Sequence, residues 1–196
     1  PPPPPPPPRL DSSAASDVYK RQVQTGIGRT GKMLALEHES VIPDLLTLGK
    51  GLGGGFPIAA VLTTEEVAKT VSPGDHGGTY IGNPHACAAA NADLEVVCEE
   101  KLPERAAELG ERIQAKLRSF TDAHPDLASE VRGRGLLIGL VLRDAEKAAA
   151  LPRRALERGI LVNVTAGDVM RLFPPLNIPE DDLWPALDTL LELVSI

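Results

Sequence analysis

Thr47-Leu48-Gly49-Lys50-Gly51-Leu52-Gly53-Gly54-Gly55-Phe56-Pro57 sets a lone lysine among glycines, between the apolar stretches Leu45–Leu48 and Ile58–Leu62. Glycine has no Cβ to block close approach of a flat molecule, and it permits the backbone angles of a tight turn. The apolar stretches on either side read as buried strands. An ammonium at such a strand end is expected to lose water, and desolvation favours the neutral amine. A neutral amine is the species that attacks a carbonyl to form a Schiff base. The plain alternative is a surface turn with an incidental lysine, since structural turns also use glycine freely.

The chain has 196 residues, 42% of them hydrophobic, which is enough for one large domain or two small ones. Aromatic residues make up 3%, so the core must be built from Leu, Val, Ile and Ala. A formal net charge of −7 argues against nucleic acid or an anionic membrane as partner. No stretch approaches the roughly 20 apolar residues needed to span a bilayer. Cys87 and Cys98 are the two cysteines, too few for a disulfide framework or a cysteine metal cluster. A reducing, cytoplasmic setting is the expectation.

Pro1–Pro8 form a homopolymer without core-forming capacity, and residues 9–22 are polar without a clear period. Residues 1–22 are therefore set aside as a proline-rich tail, expected to be non-native or disordered. Beyond them, Met33–Glu39 reads as a helical turn, Leu45–Leu48 and Ile58–Thr63 as strands, and residues 64–68 as the opening of a short helix. Val71–Pro84 is a long loop, and loops of that length in compact domains are usually functional. Residues 86–120 are helical, with a break expected near Leu102-Pro103. Residues 131–135 read as a turn-rich approach to a strand at Leu136–Leu142. A helix at Ala145–Arg158 and strands at Ile160–Val164 and Met170–Phe173 follow. The last helix opens near Pro179-Glu180-Asp181-Asp182, where a proline and three acids complement the helix dipole.

Several motifs admit more than one chemistry. Gly26-Ile27-Gly28-Arg29-Thr30-Gly31 matches a dinucleotide fingerprint, but residues 19–22 do not form the hydrophobic strand that such a fingerprint follows. It also approaches a phosphate loop through Lys32, with Met33 where a magnesium-binding hydroxyl belongs. Thr79, in the loop before the long helix, could offer a hydroxyl and an N–H to an anion. An ordinary capping turn is the alternative there. His76 and His85 lack a third ligand nearby, so no metal is assigned. Arg171 interrupts an apolar strand, where it either reaches solvent or binds a carboxylate through two parallel hydrogen bonds.

Four segments, in order, resemble the class-III, pyridoxal-phosphate-dependent aminotransferases. They are residues 23–31, the lysine stretch 48–58, Thr79-Tyr80 with Gly82-Asn83-Pro84, and Leu161–Val164 with Arg171. The members acting on N-acetylornithine are the most similar. The resemblance covers Val23–Ile196, about the second half of a family member. It implies an α/β fold: the end of the large mixed-sheet domain of a fold-type I transferase (23–97), then a small C-terminal α+β domain (98–196). It implies pyridoxal 5'-phosphate as cofactor and Lys50 as the lysine that binds it and moves the substrate proton. Gln24 would bond the ring hydroxyl, and Val23 would pack on the pyridine face. Thr79 would hold the phosphate across a subunit boundary, so a homodimer is implied. Arg171 would clamp a substrate carboxylate, and Gly78 stands where the family often places a substrate-touching Ser or Thr.

The implied reaction moves an amino group from N-acetylornithine, or a related ω-amine, to 2-oxoglutarate, as in arginine biosynthesis. Another ω-aminotransferase and a non-catalytic remnant are the alternatives. Arg21 and Gln22 occupy positions where the family pattern has Asp-Glu. The chain is accordingly expected to be an incomplete copy with a junction at that point, and with weak or no activity of its own.

Overall fold

The computed structural model describes residues 23–196. The expectations for residues 1–22, including Arg21 and Gln22, lie outside the described residues. Apolar runs broken by glycine and proline produce two antiparallel sheets of unequal size. The first has two strands, β1 (Leu45–Leu48) and β2 (Ala60–Thr63), with Leu45 opposite Thr63 and Leu48 opposite Ala60. A 3-10 turn, Lys50–Gly53, begins the connection between them.

The short helix α1 (Glu65–Ala68) is capped by the Thr64 side chain. The loop that follows ends where Asn83 accepts hydrogen bonds from the N–H groups of His85 and Ala86, with Pro84 at the first helical position. That pairing starts a helix because it satisfies otherwise orphaned donors and presets the backbone angle. Helix α2 (Pro84–Glu99) and helix α3 (Leu102–Ala123) are separated by Lys101 in a left-handed conformation, so the break expected near Leu102-Pro103 is present.

The second sheet has four strands in the order β3-β4-β6-β5: β3 (Ala128–Arg134), β4 (Leu137–Leu142), β5 (Asn163–Thr165) and β6 (Val169–Leu172). All neighbours are antiparallel, with Gly139 opposite Arg171 and Arg171 opposite Asn163. Helix α3 packs on β3 and β4, while α4 (Ala145–Glu157) packs on α5 (Glu180–Ser195) and β5. Ile113, Leu117, Leu140, Leu151, Met170 and Leu187 anchor the core this creates. A smaller cluster of Ile27, Leu52, Ala90, Val97 and Leu102 joins the lysine turn to α2 and the start of α3.

Three local expectations are corrected. Residues 131–134 belong to a strand, because β3 is a sheet edge whose outward positions carry the charges of Glu130, Arg132 and Arg134. Charged side chains are a usual way of blunting such an edge. Strand β2 is exposed, with Val61 at 64% and Leu62 at 49%, because its sheet has only two strands among the described residues. Strand β5 starts at Asn163, after Gly159 and the open backbone that follows it.

The first turn of α5 is tied to α3. The Arg112 guanidinium donates to both Glu180 carboxylate oxygens at 2.8 and 2.7 Å, and Trp184 Nε1 donates to the same carboxylate at 2.8 Å. These hydrogen bonds hold the Glu180 carboxyl below its usual 4.5. A carboxyl lowered by folding contributes stability above its unfolded pKa, and that contribution is lost as pH falls through the folded value. Glu180→Gln is therefore expected to lower the melting temperature at pH 7. It should also flatten the fall in melting temperature between about pH 5 and pH 3. Parallel melting curves for the two proteins over that range would show that the pair does not form.

Candidate active site

A cleft of about 620 Å³ opens between the lysine turn, the Gly26–Gly31 segment, α2 and the end of β6. Its size falls in the range of ligand sites, roughly 300–1,000 Å³. Val23, Gln24, Lys50 and Arg171 all line it. Four side chains that the sequence pattern singles out are thus brought to one place from distant parts of the chain. Thr79 and Gly78 do not line it and lie on the exposed loop before α2.

Local structure explains how Lys50 reaches the cleft. Gly49 is extended, and Lys50 itself takes a left-handed φ of 52°, turning the chain into the 3-10 segment. A non-glycine residue in that region carries strain, and such strain clusters at functional sites. Leu52 is buried beneath the turn in the smaller core, while Gly51, Gly54 and Gly55 contribute backbone to the cleft wall. The expected burial of Lys50 is not found, and the residue is exposed. The turn carries the side chain out of the smaller core and into the mouth of the cleft.

Arg171 projects from the middle of β6, beside Asn163 on one side and Gly139 on the other. Its Nε is buried without a hydrogen-bond partner. A buried donor left unpaired costs about 1–3 kcal/mol, which an incoming acceptor recovers. The second guanidinium of the cleft, Arg29, donates to the carbonyls of Leu136 and Pro174 and stacks on the Phe173 ring at 4.1 Å. Burial pushes it down to about 10, which leaves it charged at neutral pH. Arg105, on α3, donates to the carbonyls of Leu176 and Ile178 and so holds the loop that closes one side of the cleft.

Asp93 is the acid of the cleft wall, and its carboxyl is raised by burial. Three cations, Lys50, Arg29 and Arg171, face this one carboxyl group, so the cleft favours anionic ligands. Sequence reasoning missed Arg29, Asp93 and Phe173 as cleft residues. Asp93 had a readable signal: it shares the helical face of the buried residues Ala86, Ala90 and Val97. Arg29 was hidden inside a glycine motif read only for its glycines. In the structure a bend and a single 3-10 turn, Ala35–His38, follow that motif in place of an α-helix, so the helical turn expected at Met33–Glu39 is present. Among the described residues no cluster of three His, Cys, Asp or Glu is suited to a metal, and no helix is long and apolar enough to cross a membrane.

The donor set fits a flat anionic aldehyde: an accessible primary amine, a carboxamide, an apolar face from Val23, and guanidinium charge. Solved structures share this order and packing of elements. An acetylornithine aminotransferase from Elizabethkingia anophelis superposes with a TM-score of 0.83 at 42% identity, covering 89% of this chain and 44% of that one. An ornithine aminotransferase from Toxoplasma gondii gives 0.83 at 38% identity, covering 89% and 42%. The architecture is that of an α/β fragment of a fold-type I, pyridoxal-phosphate-dependent transferase. Residues 21–194 match the class-III aminotransferase model, and the chain belongs to that family.

Among curated relatives, the acetylornithine aminotransferase of Methanothermobacter thermautotrophicus is 47% identical over 174 residues, 89% of this chain and 44% of that protein. The ornithine aminotransferase of Macrococcus caseolyticus is 43% identical over 175 residues, 89% of this chain and 43% of that protein. The chain thus spans less than half the length of the curated relatives it matches. The family implies pyridoxal phosphate as the cofactor.

Proposed function

We propose that this chain carries the lysine and carboxylate-binding part of an aminotransferase that moves the ω-amino group of N-acetylornithine to 2-oxoglutarate, a step of arginine biosynthesis in the cytoplasm. The observation that carries the reading is the convergence of Lys50, Gln24, Val23 and Arg171 on one cationic cleft. Relatives named for acetylornithine and for ornithine support the ω-amine class.

When bound, pyridoxal phosphate supplies an aldehyde to capture amines and a ring that takes up the electrons of a carbanion. Each residue then has a definite task. Lys50 would hold the group through its Nζ and, with that amine free, would accept the proton from the amine-bearing carbon of the donor. Desolvation by bound ligand aids this task, since the amine must be neutral to act. Gln24 would hydrogen-bond the ring hydroxyl, and Val23 would keep water from one face of the ring. Arg171 clamps a substrate carboxylate through its planar fork, which supplies orientation as well as affinity. Thr79, with Gly78 beside it, serves the neighbouring subunit of a homodimer, where it holds the phosphate.

The test loads the chain with pyridoxal phosphate and follows two readouts for each of N-acetylornithine, ornithine and 4-aminobutyrate. One is the loss of borohydride-trappable cofactor on Lys50, and the other is glutamate formed from 2-oxoglutarate. N-acetylornithine is expected to discharge Lys50 fastest. A faster discharge by ornithine or 4-aminobutyrate moves the substrate assignment to that amine. Failure of all three overturns the reading.

A further inference from the structure

Arg29, in the wall of the cleft, reaches the chain that follows the strand carrying Arg171. Its backbone carbonyl accepts a hydrogen bond from the N–H of Leu136 at 3.0 Å, and its Nη1 donates to the carbonyls of Leu136 and Pro174. Its guanidinium carbon lies 4.1 Å from the centroid of the Phe173 ring, and that of Arg171 lies 5.7 Å from the same centroid. Phe173 and Pro174 follow β6 directly, so Arg29 grips the chain just beyond the carboxylate clamp.

Arg171 needs such support. Its Nε is buried without a partner, and among the described residues it makes no ion pair. A long side chain held by no hydrogen bond or ion pair among the described residues loses rotamer freedom when it binds a ligand. A ring fixed by a second guanidinium removes part of that loss beforehand. The stack is a sound anchor, because cation–π contacts strengthen when the cation is desolvated, as Arg29 is.

We propose that Arg29 is a positioning residue for substrate binding: through Phe173 and Pro174 it pre-orients the Arg171 guanidinium for a carboxylate. The proposal rests on the reading of Arg171 as the carboxylate clamp. It predicts that the amine end of the cleft, at Lys50, is served separately.

The experiment uses the full 196-residue chain labelled with ¹⁵N, observing arginine Nε–H resonances with and without 2-oxoglutarate. Arg29→Met and Phe173→Leu are compared with the unaltered chain, with Arg29→Lys, and with Arg171→Met as reference. In Arg29→Met the Arg171 Nε–H resonance is expected to shift without any ligand, and the dissociation constant for 2-oxoglutarate should rise about tenfold. Phe173→Leu should reproduce both changes, and Arg29→Lys should fall between. The Arg112 resonance, from a guanidinium bonded to Glu180 outside the cleft, should stay in place in both variants, which a general loss of structure would not allow. Unchanged Arg171 resonance and unchanged affinity in Arg29→Met and Phe173→Leu overturn the proposal. The clamp reading fails instead if Arg171→Met binds 2-oxoglutarate as well as the unaltered chain does. The ligand-free resonance still decides the positioning claim in that case.

Discussion

Replacing Lys50 by alanine is expected to eliminate borohydride-trapped pyridoxal phosphate from the protein. Among the described residues Lys50 is the one lysine that lines the cleft. Lys32, Lys69, Lys101, Lys116 and Lys147 lie outside its wall, where nothing would hold the rest of the cofactor. A freely accessible amine condenses with aldehydes weakly and without site preference, whereas an amine fixed beside ring-binding groups gains from proximity. The expected result is thus a single adduct by mass in the unaltered chain and none in Lys50→Ala.

Lys50→Arg separates charge from nucleophilicity, because guanidinium keeps the cation but does not deprotonate. It should lose the adduct as completely as alanine does. Alanine at a φ of 52° carries the same backbone strain as lysine, so a circular dichroism spectrum matching the parent is expected. Undiminished trapping in Lys50→Ala, or an adduct on any other lysine of the parent, would sink the assignment.

Much of the fold was legible because proline, glycine and acidic residues punctuate it plainly. Pro103 marked the break between α2 and α3, and Glu180, Asp181 and Asp182 marked the start of α5. Strand β3 was obscured by its edge position, where Glu130, Arg132, Gly133 and Arg134 imitate a loop. The exposure of β2 was unreadable for a different reason. An apolar sequence states that a strand is meant to be covered, and says nothing about which segment covers it.

The site was legible to the extent that its residues sit in motifs. Lys50, Gln24, Val23 and Arg171, singled out by their motifs, line one cleft, whereas Thr79 and Gly78 do not. What the sequence concealed was the supporting set, because support is defined by tertiary contact. Arg29 contacts Phe173 and Pro174, which are near it only after β6 has been laid beside β4. The inferred desolvation of Lys50 failed on the same ground. Flanking apolar residues need not surround a side chain when the turn aims it away from them.

The second large effect lies far from the amine, at Gly110. A Cβ built there would lie 2.2 Å from the carbonyl oxygen of Gly135, in the turn between β3 and β4. Gly135 in turn has a φ of +53° and leaves no room for a Cβ, which would fall 2.5 Å from the carbonyl carbon of Thr30. Helix α3, the β3–β4 turn and the Gly26–Gly31 segment are therefore stacked backbone on backbone. Helix propensity favours Gly110→Ala by about 1 kcal/mol. Overpacking opposes it by about 1–3 kcal/mol where side chains can yield, and by more where the obstacle is backbone. The clash wins, and the expected net destabilisation is about 3 kcal/mol. For a chain of this size that lowers the melting temperature by about 6–12 °C. Gly77→Ala, where nothing lies within 4 Å, is the matched control and should change stability by less than about 0.5 kcal/mol. Because the stack holds Thr30 and its neighbour Arg29, Gly110→Ala should also weaken 2-oxoglutarate binding at temperatures where the protein is still folded. A melting temperature equal to or above that of the parent would mean that the three backbones do not meet.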